Sequence, residues 1–162
     1  MRHRQRGTTA VEFAIVGGVF FLVLFGVAEI ARAIYTWNAL TEATRRGARV
    51  AAICPLNHAA IARVTVFQAG DSGVTQAVLP GLSPANVDLA YLDADGQPIA
   101  DPFGNFGLIR YVRVGITGYQ HNFVVSMIGG SIDAPAFYST LPRESLGIPR
   151  EGAGPQCFGT AV

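Results

Sequence analysis

The chain is 162 residues long, one domain's worth of sequence, with 50% apolar and only 14% charged residues, where an ordinary globular chain carries about 25% charged. That balance excludes a disordered polyelectrolyte and a charge-laced coiled coil, and twelve basic against eleven acidic residues leave no electrostatic footprint for nucleic acid. All twelve basic residues are Arg, which excludes a Walker-A phosphate loop and a lysine Schiff base.

The apolar surplus sits at the front. Residues 1–7 (MRHRQRG) carry three Arg, one His and no acid, and Phe13 to Ala28 is an uninterrupted uncharged stretch. Those sixteen residues reach only about 24 Å along a helix, short of a hydrocarbon core of about 30 Å, whereas Thr8 to Ala28 reaches about 32 Å. The longer count includes Glu12, a carboxylate that is expensive in lipid and therefore a functional candidate. Arg2, Arg4 and Arg6 are packed ahead of the span, which predicts a cytoplasmic N-terminus. The competing reading is a secretory signal peptide, since Gly26-Val27-Ala28 and Ala31-Arg32-Ala33 both meet the small-x-small requirement for cleavage. Against it, Glu12 interrupts the apolar region and the helical pattern runs through both sites. Ala10, Ala14 and Gly18 form a small-xxx-small row, which is either a seat for another helix or a chance product of an Ala/Gly-rich segment.

A helix period continues past Ala28. Ile30, Ile34, Trp37, Thr41, Thr44, Ala48 and Ala51 predict one buried stripe, with Arg32, Glu42, Arg45, Arg46 and Arg49 mostly off it. Pro55 predicts the stop, giving one helix over 10–53 with Gly17-Gly18 as its weak point. Alternation predicts strands at 63–68 (RVTVFQ), 87–92 (VDLAYL), 108–119 with Val112, Val114 and Ile116 on one face, and 136–141; Asp95-Gly96 predicts a hairpin-type turn. These elements imply the α+β class, a long N-terminal helix packed against a small antiparallel sheet in a pilin-like layout. Cys54 and Cys157 suit a bridge in an oxidising compartment, closing a loop of about 100 residues, with two unrelated thiols as the alternative.

Arg6-Gly7 followed by Thr8-Thr9-Ala10-Val11-Glu12-Phe13 resembles a prepilin processing site: a basic leader ending in Gly, a Glu at the fifth residue after the cut and an aromatic next. Glu29-x-x-Arg32, Tyr35-x-x-Asn38-Ala39-Leu40 and Ala43-x-Arg45-x-Gly47-Ala48-Arg49 are similar to the TadE-like pseudopilins of the tight-adherence (Tad/Flp) pilus system. The resemblance spans roughly residues 6–53, with Leu141-Pro142-Arg143-Glu144 compatible with a family ending. Gly17-Gly18 stands where such proteins often carry a Pro, and Arg46 where they carry an acidic or neutral residue.

The resemblance implies a bacterial inner-membrane protein cut between Gly7 and Thr8 by a prepilin peptidase. It would serve as a minor pseudopilin in pilus assembly and cell adhesion, with other pilin subunits and the Tad inner-membrane platform as partners. The expected division is a leader at 1–7, a transmembrane helix at 8–28, a periplasmic continuation at 29–54 and a β-rich periplasmic head at 55–162. The alternative is a secreted periplasmic domain released after Ala28 or Ala33.

Catalytic chemistry is not expected. Of His3, His58 and His121 none forms a His-x-x-x-His pair, there is no Cys-x-x-Cys and no Gly-x-Ser-x-Gly elbow, and Pro55 separates Cys54 from His58. Asp93-x-Asp95-Gly96 with Asp101 echoes a calcium loop but lacks its third ligand and its distal Glu, so a plain turn is expected. Arg45, Arg46 and Arg49 fit either an anionic partner or a solvated helix flank. No cofactor, metal or nucleic-acid partner is expected, and the chain is not expected to be an enzyme.

Overall fold

In the computed structural model, residues 6–68, 79–124, 130–148 and Cys157 are described. One helix, α1 (Arg6–Ile53), runs unbroken for 48 residues, about 72 Å, straight through Gly17-Gly18. The short α2 (Ala59–Thr65) packs beside its C-terminal half, and β1 (Val87–Leu92), β2 (Tyr111–Ile116) and β5 (Phe137–Pro142) form an antiparallel sheet in the order β1-β2-β5. A two-stranded ribbon of β3 (Gln120–Asn122) and β4 (Ser131–Asp133) completes the head. This is the α+β arrangement of a long N-terminal helix on a small antiparallel sheet.

The sheet is half-buried, as its alternation requires. Val112, Val114 and Ile116 face inward and are buried, opposite Tyr91, Leu89 and Val87 on one side and Leu141, Ser139 and Phe137 on the other. Between β1 and β2 the chain turns at 93–97, where Gly96 has φ 75° and the Asp93 carboxylate accepts the N–H groups of Asp95 and Gln97. The acidic echo of a calcium loop is thus an Asx-type turn, and the Asp101 carboxylate likewise accepts the Gly104 N–H.

Two expectations are corrected. Residues 63–68 do not form a strand: Arg63–Thr65 end α2, and the chain leaves it through Phe67 at φ 62°. The β-branched alternation is overridden by tertiary contacts, because His58 caps the helix (Nδ1 accepts the Ala60 N–H at 3.2 Å) and Ile61 and Thr65 are buried against α1. The buried stripe of α1 also departs from the expected one in its lower part, although Thr44, Ala48 and Ala51 are buried as expected. It runs through Glu29, Ala33, Thr36, Leu40, Ala43, Thr44, Gly47 and Ala51 to Cys54, while Ile30, Ile34 and Trp37 are exposed. The cause is proximity. A Cβ on Gly47 would fall inside van der Waals contact with Thr65 Oγ1 and 3.0 Å from Val114 Cγ1, so α2 and β2 come too near the helix for bulky side chains.

The C-terminus of α1 is closed by the chain beyond β5. Glu144 and Leu146 donate their N–H groups to Ala52 O, and the Gly147 N–H and Ser145 hydroxyl donate to Ile53 O at 2.8 and 3.0 Å. These donors satisfy carbonyls that a helix end otherwise leaves unpaired. Gly147, at φ 80°, lies so close to Pro55 that a side chain there would collide with it.

Candidate functional site: the exposed length of the first helix

From Val11 to Val27 the large apolar side chains of α1 are between 45 and 78% exposed, and among the described residues no part of the head covers them. Among the described residues this is the one helix long and apolar enough to cross a membrane, and it lies near the N-terminus. An apolar surface on this scale is left bare by soluble monomers only where something else covers it.

The residues singled out by sequence distribute over this helix unequally. Gly7, Thr8, Glu12, Phe13, Ala10, Ala14 and Gly18 are all exposed. A Cβ on Gly7, Gly17, Gly18 or Gly26 would meet nothing within 4 Å, so the chain's own fold does not require glycine there. At 3.6 residues per turn, eighteen residues are five full turns. Gly18 therefore lies directly below the buried Thr36, whereas Ala14 and Ala10 lie below the exposed Arg32 and Ala28, so the row drifts off the side that higher up carries the head. Glu12, Val16 and Val19 lie directly below Ile30, Ile34 and Trp37, on the exposed side. The small-residue row and the carboxylate thus occupy different faces and do not form one site. Cys54 and Cys157 are joined at the opposite end of α1, with Cα atoms 5.0 Å apart, and pack into the core with Ile61, Val112 and Leu146.

The junction between bare helix and head is polar and closed. Glu29 is 3% exposed; its carboxylate accepts from Arg32 Nη1 at 2.7 Å and from the Val124 N–H at 3.0 Å. One turn on, the Thr36 hydroxyl donates to Arg32 O and lies 3.4 Å from Nδ1 of the buried His121, whose ring meets Phe123 edge-on. A buried carboxylate held by a guanidinium and a backbone N–H is paired rather than orphaned, so it fastens the head to the helix. The Glu29-x-x-Arg32 spacing is visible in the sequence but its backbone partner is not, since Val124 lies 95 residues from Glu29. Nearby, burial pushes the Tyr119 phenol up, opposed by the positive charge of Arg32, and its hydroxyl donates to Pro80 O.

The remaining groups are absorbed by structure. Arg45, Arg46 and Arg49 are exposed, with Arg46 lying 5.9 Å from the centre of the Phe67 ring. An open cleft of about 690 Å³ lies beside Phe106, Arg143, Glu144 and Ser145. Its Arg143 is committed to Phe106, stacking on the ring and donating to the carbonyl at 3.1 Å, and its Ser145 hydroxyl to Ile53 O. No group of three or more His, Cys, Asp or Glu able to hold a metal occurs among the described residues.

Compared with known proteins, residues 7–49 match the family model described as TadE-like protein. No curated protein and no solved structure matches the chain. The matched segment lies within α1, whose apolar length fits a single-pass membrane anchor.

Proposed function

We propose that this chain, TadE-like over residues 7–49, is a prepilin-like minor pseudopilin that supports assembly of a Tad-type pilus from the bacterial inner membrane. Residues 1–7 are the leader, removed between Gly7 and Thr8 by a prepilin peptidase. Residues 8–28 cross the membrane with the N-terminus in the cytoplasm, 29–54 continue the helix into the periplasm, and 55–162 form the head. Its partners are other pilin subunits and the Tad inner-membrane platform, and it carries no catalytic site. The observation that supports this reading best is the bare apolar half of α1, with its one carboxylate, Glu12, five residues after Gly7.

A carboxylate in that position is costly unless a positive group meets it. Cleavage creates one, the α-amine of Thr8, four residues away and on the same helical face. The amine of an adjacent subunit would serve equally and would set the register of stacked helices, with Ala10, Ala14 and Gly18 admitting a neighbouring helix at close range. Removing one member of such a pair leaves the other unpaired in low dielectric. Glu12→Val is therefore expected to preserve membrane insertion and cleavage, and to abolish or sharply reduce both pili and co-purification with other pilins. Wild-type pili and unchanged complexes from that strain would remove the carboxylate from assembly.

A further inference from the structure

The uncharged stretch Phe13–Ala28 falls about 6 Å, or four residues, short of a hydrocarbon core of about 30 Å. The deficit can be met at the front, through Glu12, or at the back, through Glu29 to Arg32. In the uncleaved chain, before a Thr8 amine exists, Glu12 has neither an ion pair nor a hydrogen bond among the described residues, whereas Glu29 and Arg32 neutralise each other at 2.7 Å and Glu29 also takes the Val124 N–H. A paired charge that is already 3% exposed costs less to bring near lipid than a lone carboxylate. The apolar layer therefore extends upward along α1 past Ala28.

The next turns of the helix suit the headgroup layer. Ile34, Tyr35 and Trp37 are 50, 61 and 37% exposed; Ile34 and Tyr35 lie on the helix half that faces away from the head, and Trp37 lies at the head's edge. Aromatic rings with one polar atom concentrate at the headgroup level of membranes. From Thr8 to Trp37 is thirty residues, about 45 Å, the thickness of a bilayer with its headgroup layers. The next charges on α1, Glu42 and Arg45, are exposed and lie above that level. Arg32, 44% exposed, sits within it and can direct its free edge to phosphates. The head reaches deeper still, because the bond from Val124 to Glu29 puts Val124, itself 70% exposed, at the level of Glu29, about 12 Å below Trp37 along the axis and at the inner edge of the headgroup layer.

We propose that Ile34, Tyr35 and Trp37 of α1, with Val124 of the head, form an interfacial lipid contact that seats the head directly on the phospholipid headgroup layer. The occupant of this surface is lipid, since the stripe continues that of the membrane-crossing half without a break. The proposal rests on α1 crossing the bilayer, and its test separates the two.

Trp37 is the chain's single Trp, so its emission reports this surface alone. The full chain is placed in phosphatidylcholine–phosphatidylglycerol vesicles, with and without lipids brominated near the headgroup end of their acyl chains. Brominated lipid is expected to remove most of the Trp37 emission, and a Trp37→Phe/Val124→Trp variant is expected to be quenched likewise. If alkaline carbonate leaves the protein in the vesicles yet brominated lipid leaves Trp37 bright, the contact is refuted while the span stands. That holds whether water or the helix of a second copy covers the indole. Quenching at position 37 but not at 124 refutes the head's share of it. Release by carbonate overturns the membrane-crossing reading, and the proposal with it.

Discussion

Replacing Gly47 by Ala tests how tightly the head is set on its helix. In an exposed helix this exchange stabilises by about 1 kcal/mol, because Ala is the better helix former. Here the new methyl would collide with Thr65 Oγ1 and lie 3.0 and 3.1 Å from Val114 Cγ1 and Thr65 Cβ. Thr65 cannot easily yield, being fully buried with its hydroxyl donating to Ile61 O at 2.7 Å. Overpacking costs roughly 1–3 kcal/mol and a displaced hydroxyl about 1 more, so after subtracting the propensity gain Gly47→Ala should destabilise by about 1–3 kcal/mol. Urea titration of the full chain in micelles, followed by near-ultraviolet circular dichroism of the head's aromatic residues, measures the loss. In a Thr65→Ala background the cost should shrink by about 1 kcal/mol, since the two sites share the contact. A Gly47→Ala protein more stable than wild type would refute the close approach and with it the account of why this stripe is small.

Two further outcomes concern the head. Alkylation of the unreduced protein should add no label and alkylation after reduction two, because Cys54 and Cys157 are bonded; reduction should cost on the order of 4–5 kcal/mol, the chain-entropy value for a loop of about 100 residues, and a denaturation midpoint indifferent to reductant would count against that. Burial raises the Tyr91 phenol above its ordinary 10.0, opposed by the Asn57 N–H it accepts at 2.9 Å. The unfolded chain therefore ionises first, so stability present below about pH 10 falls above it until the folded phenol ionises; Tyr91→Phe should flatten that alkaline slope in midpoints measured between about pH 9 and 11.

The elements that were legible in the sequence are those whose pattern is local. β1, β2 and β5 read from alternation because one face of the sheet is buried, although β2 is shorter than the 108–119 run, which also contains the end of a 3-10 turn at Phe106–Leu108. The helix read correctly in length, and in face only over its upper part, where Thr44, Ala48 and Ala51 are buried. Its contact surface is built from Ala33, Ala43, Gly47 and Ala51, and a rule that buries the largest apolar residues selects Ile30, Ile34 and Trp37 instead. Residues 63–65 carry strand-like side chains and become helix only because a cap at His58 and a neighbouring helix are there to receive them. β3 and β4 are three residues each, too short to leave a period. Glu29 was visible as a residue, but its burial depends on a hydrogen bond to Val124 that no local pattern encodes.

The mature N-terminus tests the central claim most directly. Intact mass and N-terminal sequence are read on protein taken from membranes of a cell with an active prepilin peptidase. The expected product begins at Thr8, has lost Arg2, Arg4 and Arg6, and carries nine Arg against eleven acids. Gly7→Leu should leave the full-length, membrane-bound precursor. Since a side chain at position 7 meets nothing in the fold, that failure would report on the peptidase's need to approach the backbone rather than on folding. A mature chain beginning at Glu29 or Ile34, or a Gly7→Leu protein processed to normal size, would contradict the account.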